Sequence, residues 1–465
     1  MSTINIQNVN LGGIAYSKYQ GIENSVAQMV GFDLHSEPGI IKVNQKLTKE
    51  SGTTVDDFVK CILPCSDGNT YLFGSTNGKI WKRISNGTYS LEATASPAAG
   101  AAGIKDAIED QGYIYYSMQS RIGRWQIGTA WSTRNDSWAT FTKTDADFHP
   151  FQKVNLVNYV GDGNLVAQIE DGVFTANALD VKTPLRIKAL GIARTKLLLG
   201  TYVSDNVNAS EIFDWNTWSV SFDTNDPIPE VGINSFLKMD NEILANAGQK
   251  GNIYVYDGEA LRRYKRINGD WGIGKTAQVH PNASANFNGL PLFGLSNIAG
   301  NPCLQGVYSL GSHSPDFPSI INLDYIISQN KTASIEIGAI AIVGDIVLVS
   351  WKDGTTYGID KLDSANKYSG AYLDTRIIMP ERTILKRFVR VFANYRTLPT
   401  NTAITFKKSV NHGAFSDNLE TVVDVKRKTV YTKIAIEDAS TMQIRVATTA
   451  SSNDAPEIEN IEIDY

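Results

Sequence analysis

Short runs of four to seven apolar residues, alternating with polar ones and bounded by Gly, Asn and Asp, recur along most of the chain. No other feature constrains the fold as much. Period-two alternation suits a strand with one buried face, and Gly, Asn and Asp tolerate the positive φ of tight turns. Helical periodicity is nearly absent, and only Glu23 to Val30 and Val55 to Phe58 are expected as short helices. The chain is therefore expected to be all-β.

The runs repeat as a unit: an apolar strand, a turn, a second strand rich in large residues, a Gly turn, and a third strand carrying an aromatic. Phe58 through Thr70-Tyr71-Leu72-Phe73 to Lys79-Ile80-Trp81 is the clearest example. Further units start at Ile104, Val154, Leu190, Ile233, Leu290 and Ile337, with spacings that average about 46 residues, as expected for four-stranded propeller blades. One unit cannot bury both of its faces, so stacking around an axis is the physical solution. The expected fold is an all-β protein with a β-propeller of about seven blades over residues 56–368 and a C-terminal β-sandwich over 369–465. Residues 1–55, polar and punctuated by Gly12-Gly13 and Pro38-Gly39, are expected to form an extended N-terminal arm.

Composition excludes several classes. A chain of 465 residues that is 42% hydrophobic and 20% charged can bury a large core, so wholesale disorder is excluded. A net charge of −5 argues against gripping nucleic acid over the whole surface. Cys61, Cys65 and Cys303 are too few and too scattered for a disulfide framework. Met1 to Gly13 has neither a basic region nor an apolar one, and no window reaches 18 uninterrupted apolar residues. Neither classical secretion nor membrane insertion is expected.

Gly269 to Thr276 matches the phosphate-loop pattern GxxxxGK[ST] letter for letter, but that loop needs a helix behind it. Pro281 and the Asn- and Ser-bearing stretch Asn282 to Asn288 oppose a helix, so the motif is expected as a Gly-rich inter-blade loop instead. His35, His149, His280, His313 and His412 show no metal-ligand spacing, and Cys61 and Cys65 are expected as small buried residues. Ser66-Asp67-Gly68-Asn69 and Lys352-Asp353-Gly354-Thr355 are expected as hairpin turns. Asp106, Glu109 and Asp110 could line an axis, or equally a solvated turn. Of the aromatics, most are expected between blades, while Trp131, Trp138, Trp215 and Trp218 lie in polar, turn-rich stretches and are candidates for a surface. No catalytic, metal or cofactor residues are assigned.

Charge is unevenly spread. Between Arg376 and Lys408 eight basic residues face only Glu381, a local net of +7 that leaves −12 for the rest. Arg376, Arg382, Lys386, Arg387, Arg390 and Arg396 are therefore candidates for contact with another subunit or an acidic partner. Solvated strand faces are the plainer alternative.

Ser36-Glu37-Pro38-Gly39-Ile40-Ile41, the Gly-x-Ile-Tyr strands Gly112-Tyr113-Ile114-Tyr115 and Gly251-Asn252-Ile253-Tyr254, and the terminal Ile461-Glu462-Ile463 together carry a resemblance. In layout and length the chain resembles the tail-nozzle, or head-completion, β-propeller proteins of short-tailed bacteriophages. The insert Val203 to Glu230 has no counterpart in that pattern. The resemblance implies a non-enzymatic virion structural protein without cofactors, assembled in the host cytoplasm into a homo-oligomeric ring, a hexamer, in the viral tail. The ring would surround the DNA exit channel, contact genomic DNA transiently during DNA ejection, and dock portal or adaptor and tail fibre or needle proteins. The alternative from the residues is a tail-tip receptor- or glycan-binding propeller, with or without glycan hydrolase activity.

Overall fold

Seven antiparallel four-stranded meanders succeed one another around a closed ring among the described residues. The computed structural model describes residues 3–465 except 51–54, 85–86, 97–102, 144–146, 205–206, 240–241, 270–273, 300–304, 313–317, 330–334, 380–385, 389, 424–428 and 434–437. The inner strands of blades 1 to 7 are Val59–Pro64, Asp106–Asp110, Phe151–Val154, Arg186–Ala193, Ile233–Met239, Thr276–Phe287 and Ile335–Val343. Each touches the next, and the last touches the first. The all-β propeller is thus the fold, with seven blades.

The inter-blade seams are filled by buried apolar side chains. Tyr71, Phe73, Ile114, Tyr116 and Trp125 fill the seam between blades 1 and 2, and Val59, Leu72, Trp81, Ala339, Leu348 and Ile359 fill the one between blades 7 and 1. Burying such side chains stabilises by roughly 1.5–3 kcal/mol each, which is why alternation on both faces of every blade decides the fold. Buried serines tie neighbouring blades: Ser117 Oγ donates to the His149 carbonyl at 2.8 Å, and Ser350 Oγ donates to the Val59 carbonyl at 2.7 Å. At that closing seam a Cβ on Gly338 would stand 2.1 Å from the Val59 carbonyl oxygen, so only glycine admits the approach.

The ring is closed by the start of the chain. Gln45–Lys49 pairs with Thr356–Lys367 and supplies the fourth strand of blade 7. The described part of residues 1–55, a segment expected as an extended arm, therefore belongs to both bodies. Thr3–Gln7 and Ile41–Val43 both pair with the C-terminal strand Glu457–Asp464. Gln28–Val30 pairs antiparallel with Tyr372–Asp374 and meets Ile320–Tyr325 of blade 6 in parallel through Val30 and Leu323. Blade 6 thereby runs into the sandwich as one nine-stranded sheet. The sandwich core unites both ends of the chain, with Val26, Phe32 and Val43 packed against Val391, Phe406, Ile444 and Ile461.

Neither expected helix forms. Gln28–Val30 is a strand and Val55 to Phe58 is irregular backbone leading into blade 1. The insert Val203 to Glu230 holds the outer strands of blade 4, Ser210–Trp215 and Thr224–Ile228. The sixth unit, expected to start at Leu290, starts earlier: Thr276–Phe287 is the inner strand of blade 6 and Leu290–Ala299 is its second strand. The pairing of the two slips between Val279 and Ser284, and that irregularity absorbs Pro281 and Asn282.

Candidate functional site

The strand that follows Lys275 removes the helix that a phosphate loop requires, and residues 270–273 of that motif lie outside the described residues. Cys61 is buried in the first seam and Cys65 is half-buried, both as free thiols; Cys303 and His313 lie outside the described residues. Among the described residues no group of three or more His, Cys, Asp or Glu is placed to hold a metal. Both Asp-Gly sites are hairpin turns, with Gly68 at φ +77° and Gly354 at +62°. Asp67 accepts from the Asn69 amide at 3.0 Å and from the Tyr71 hydroxyl at 2.9 Å.

Two of the four tryptophans expected at the surface are in the core. Trp131 stacks on Trp125 at 4.0 Å between ring centroids. Trp215 is buried among Tyr159 and its neighbours, with its Nε1 donating to the Ser219 carbonyl at 2.8 Å. In both cases the polar flanks are turns that fold back over the ring. Trp138 is half-buried beside Tyr115, under the Arg124 guanidinium. Trp218 is 88% exposed on blade 4, next to the equally bare Val220.

The basic stretch is also rearranged by folding. Arg376 donates to the carbonyls of Gly21 and Ser25 at 3.1 and 3.2 Å. Arg390 pairs with Asp464 at 3.1 Å. Arg396 pairs with Glu37 at 2.6 Å and Glu457 at 2.8 Å. Lys386 and Arg387 form a short strand paired with Asp438–Ala439, and Arg382 lies outside the described residues. The charges expected to face a partner are thus spent, at Arg376, Arg390 and Arg396, on clamping the chain's own ends. A second basic run, Leu261–Arg266, forms the outer strand of blade 5, with Arg262 and Arg263 exposed.

The carboxylates considered for an axis separate. Glu109 holds the amide of Ser66, Asp110 pairs with Lys153 at 2.5 Å, and Asp106 reaches the axis. There, a cavity of about 30 Å³ is lined by Lys60 of blade 1, Lys105 and Asp106 of blade 2, Lys188 of blade 4, and His280 and Asn282 of blade 6. Each lysine stands within three residues of the start of an inner strand, the part of a blade nearest the axis.

Burial sets the electrostatics of this cavity. It pulls the Lys60 ammonium down to about 8, helped by the charge of Lys105, and lowers Lys105 as well. His280 is pulled down to about 4 by burial, although Glu336 stands 3.4 Å from its Nε2. Asp106 is pushed up to about 6 by burial, against hydrogen bonds from the Phe151 amide at 2.7 Å, the Ala107 amide at 2.9 Å and the Asn282 side chain at 2.9 Å. A second cleft, of about 500 Å³, opens between blades 4 and 5 along Gly191–Arg194 and Phe236–Lys238. The sequence did not reveal the axial lysines; aligning the starts of the inner strands would have, since Lys recurs there in blades 1, 2 and 4.

No family model matches the chain, and no curated protein matches it either. Several solved structures align with it at low similarity. An extracellular domain assigned to a one-component system of B. thetaiotaomicron is 15% identical, over 77% of this chain and 44% of that one, with a TM-score of 0.47. Virginiamycin B lyase from Staphylococcus aureus, in a catalytically inactive form with quinupristin, is 13% identical over 68% and 99%, with a TM-score of 0.47. The Dos1 propeller is 12% identical over 69% and 94%, with a TM-score of 0.42. The chain spans less than half the length of the first of these.

Proposed function

We propose that this chain is a structural protein of a tailed-phage virion, one subunit of a hexameric ring in the tail nozzle or neck that surrounds the DNA exit channel. In this reading it is not an enzyme, and it docks portal or adaptor proteins on one side and fibre or needle proteins on the other. The observation that carries the reading is the nine-stranded sheet that fuses blade 6 to the sandwich. A subunit that bears load between neighbours is served by a body without a hinge, and both chain ends here are locked into one core. Arg376, Arg390 and Arg396 are engaged internally, and the exposed Arg262 and Arg263 of blade 5 are held by Glu242 at 2.8 Å and Asn252 at 2.6 Å, so this reading assigns the docking charge to no single arginine. Electron microscopy of the purified chain and of native particles tests it. Closed rings and a position at the neck or tail are expected, and a monomer absent from particles would sink the reading.

Trp218 favours a second reading, a tail-tip propeller that binds glycans by stacking. A glycan array with the wild type and Trp218→Ala separates the two. Binding that is lost in the variant supports the second reading, and no binding across a broad array removes it.

A further inference from the structure

The outer strand of blade 5, Leu261–Arg266, is bulged. Lys265 stands opposite Ile253 and the next pair is Arg263 with Tyr254, so Tyr264 is the extra residue. A bulge re-aims a side chain, and here it brings two successive residues to one side. Tyr264 packs with Ile253 in the core shared with blade 6, and the Lys265 ammonium lies 5.6 Å from the Tyr264 ring.

Opposite them runs the start of the chain. The Ile14 amide donates to the Ile321 carbonyl of blade 6 at 3.2 Å, and a Cβ on Gly13 would stand 2.7 Å from that of Ile320. Between the two runs lies a cleft of about 450 Å³, within the range that takes small organic ligands. Its floor, Ile14, Ala15, Ile320 and Ile321, is apolar. Tyr16 and Ile22 stand at its rim, 58% and 53% exposed. Its wall on blade 5 is cationic and aromatic, formed by Arg263 to Arg266, and no carboxylate lines it among the described residues.

The cations of this wall differ in how they are held. Arg263 donates to the Asn252 side chain at 2.6 Å, and Arg266 donates from Nε to the Lys250 carbonyl at 3.2 Å. Both feel Glu230, which in turn accepts from the Asn252 amide at 2.6 Å and the Tyr254 hydroxyl at 3.2 Å. Lys265 is different: its ammonium has the Tyr264 ring as its one partner among the described residues. Burial alone acts on its charge and pulls it below the ordinary lysine value. The fold has thus already borne the desolvation of this ammonium, so an anion that meets it gains from a prepared site. An inorganic oxyanion would leave the apolar floor unused, and a neutral apolar guest would leave the ammonium unpaired. We propose that the cleft binds a small organic carboxylate with an apolar body, its carboxylate on the Lys265 ammonium and its body between Tyr264, Ile22 and the isoleucine floor. This site does not depend on the ring assembly proposed above.

Calorimetric titration of the full chain at neutral pH tests this with three probes: 1-naphthaleneacetate, its neutral twin 1-naphthaleneacetamide, and inorganic phosphate. Saturable binding of the acetate at a single site per chain is expected, with the amide weaker by about tenfold or more and phosphate not saturating. Lys265→Gln should bring the acetate down to the level of the amide, while Lys265→Arg keeps the two apart. Ile22→Ser should weaken both organic probes alike, and Lys82→Gln, on blade 1, should change neither. Wild-type crystals soaked in the acetate should show the naphthalene ring in the cleft, which keeps the proposal testable if a variant fails to fold. No saturable binding of the acetate, equal binding of acetate and amide, phosphate as tight as the acetate, an acetate affinity unmoved by Lys265→Gln, or a ring seated elsewhere would each overturn it.

Discussion

In blades 1 to 5 every strand pairs with the strand next to it in sequence, as where Asp106–Asp110 lies against Tyr113–Ser117. In the sandwich almost the opposite holds. Thr3 sits opposite Asp464, Ile41 opposite Ile458, and Met29 opposite Leu373. The propeller is assembled from hairpins whose closure costs little chain entropy, while the sandwich requires both ends of the chain to meet. The two are nonetheless not independent, because residues 28–49 pass from one to the other. The strand that seals the locally built body is thus supplied by the same segment that enters the non-locally built one.

The sharpest way to break that comparison is to remove residues 1–44. The truncated chain keeps Gln45–Lys49 and hence all four strands of blade 7, but loses Thr3–Gln7, Gln28–Val30, Phe32–Asp33 and Ile41–Val43 from the sandwich. If the continuous sheet couples the bodies, melting should drop by roughly 10 °C or more and lose its single transition. A propeller transition unmoved by the truncation would show two separable domains.

A smaller effect is expected at the junction itself. Asp374 is buried on the strand that pairs with Gln28–Val30, and Arg445 grips it with two hydrogen bonds of 2.6 and 2.7 Å. Tyr372 and Phe415 lie on either side of the guanidinium at 4.0 and 4.2 Å. Burial already raises the Asp374 carboxyl against the pull of Arg445. Arg445→Ala leaves that carboxylate buried and unpaired, at a cost of about 3–5 kcal/mol in urea unfolding at neutral pH. Without Arg445 the native carboxyl binds its proton more tightly than the unfolded one. The variant should therefore regain part of its stability as pH falls toward 5, and a loss that is constant with pH would refute this account.

The propeller should respond to pH in the other sense. His149 is buried, stacked on Phe141 at 3.9 Å, with Nδ1 2.7 Å from the Gly161 carbonyl and Nε2 2.9 Å from that of Gln119. Burial pulls it down to about 4, with Lys105 adding to the effect and the two carbonyls and Asp147 opposing it. Its folded value lies below the unfolded one, so the stability it confers is complete above about pH 6.5 and is lost as pH falls toward 4. The loss is on the order of 3 kcal/mol, and His149→Gln should flatten that window. Two carbonyls facing one ring also suit an imidazolium, and a wild type flat from pH 6.5 to 4 would mean that the ring stays charged.

The same contrast explains what could be read from the residues. Lys79-Ile80-Trp81 and Asp353-Gly354 announce a strand and a hairpin through their immediate neighbours, and the blades follow. Gln45–Lys49 does not, because its partner Thr356–Lys367 lies some 300 residues away and its own alternation is mostly polar. Thr276–Phe287 was hidden by Pro281 and three asparagines or serines that only a slipped register can place in a strand. Trp131 and Trp215 looked exposed because a turn carries Trp131 onto the Trp125 ring and another carries the Ser219 carbonyl onto Trp215, neither through periodicity. Lys60, Lys105 and Lys188 become neighbours only when the ring closes.

Arg396 should matter least. It bridges Glu37 and Glu457, and Lys42 also reaches Glu37 at 2.5 Å, so four charges tie the start of the chain to its end. The pairing holds Glu37 below the usual carboxylate range, through Lys42 first and Arg396 second. Yet these side chains stand in solvent, where screening and side-chain entropy cancel most of an ion pair. The backbone ladder beside them, Ile41 opposite Ile458 and Lys42 opposite Glu457, is left intact by substitution. Arg396→Ala should therefore leave the melting midpoint within measurement error at 0.15 M salt. A clear fall that disappears at high salt would show that charge, rather than the sheet and its apolar core, joins the two ends.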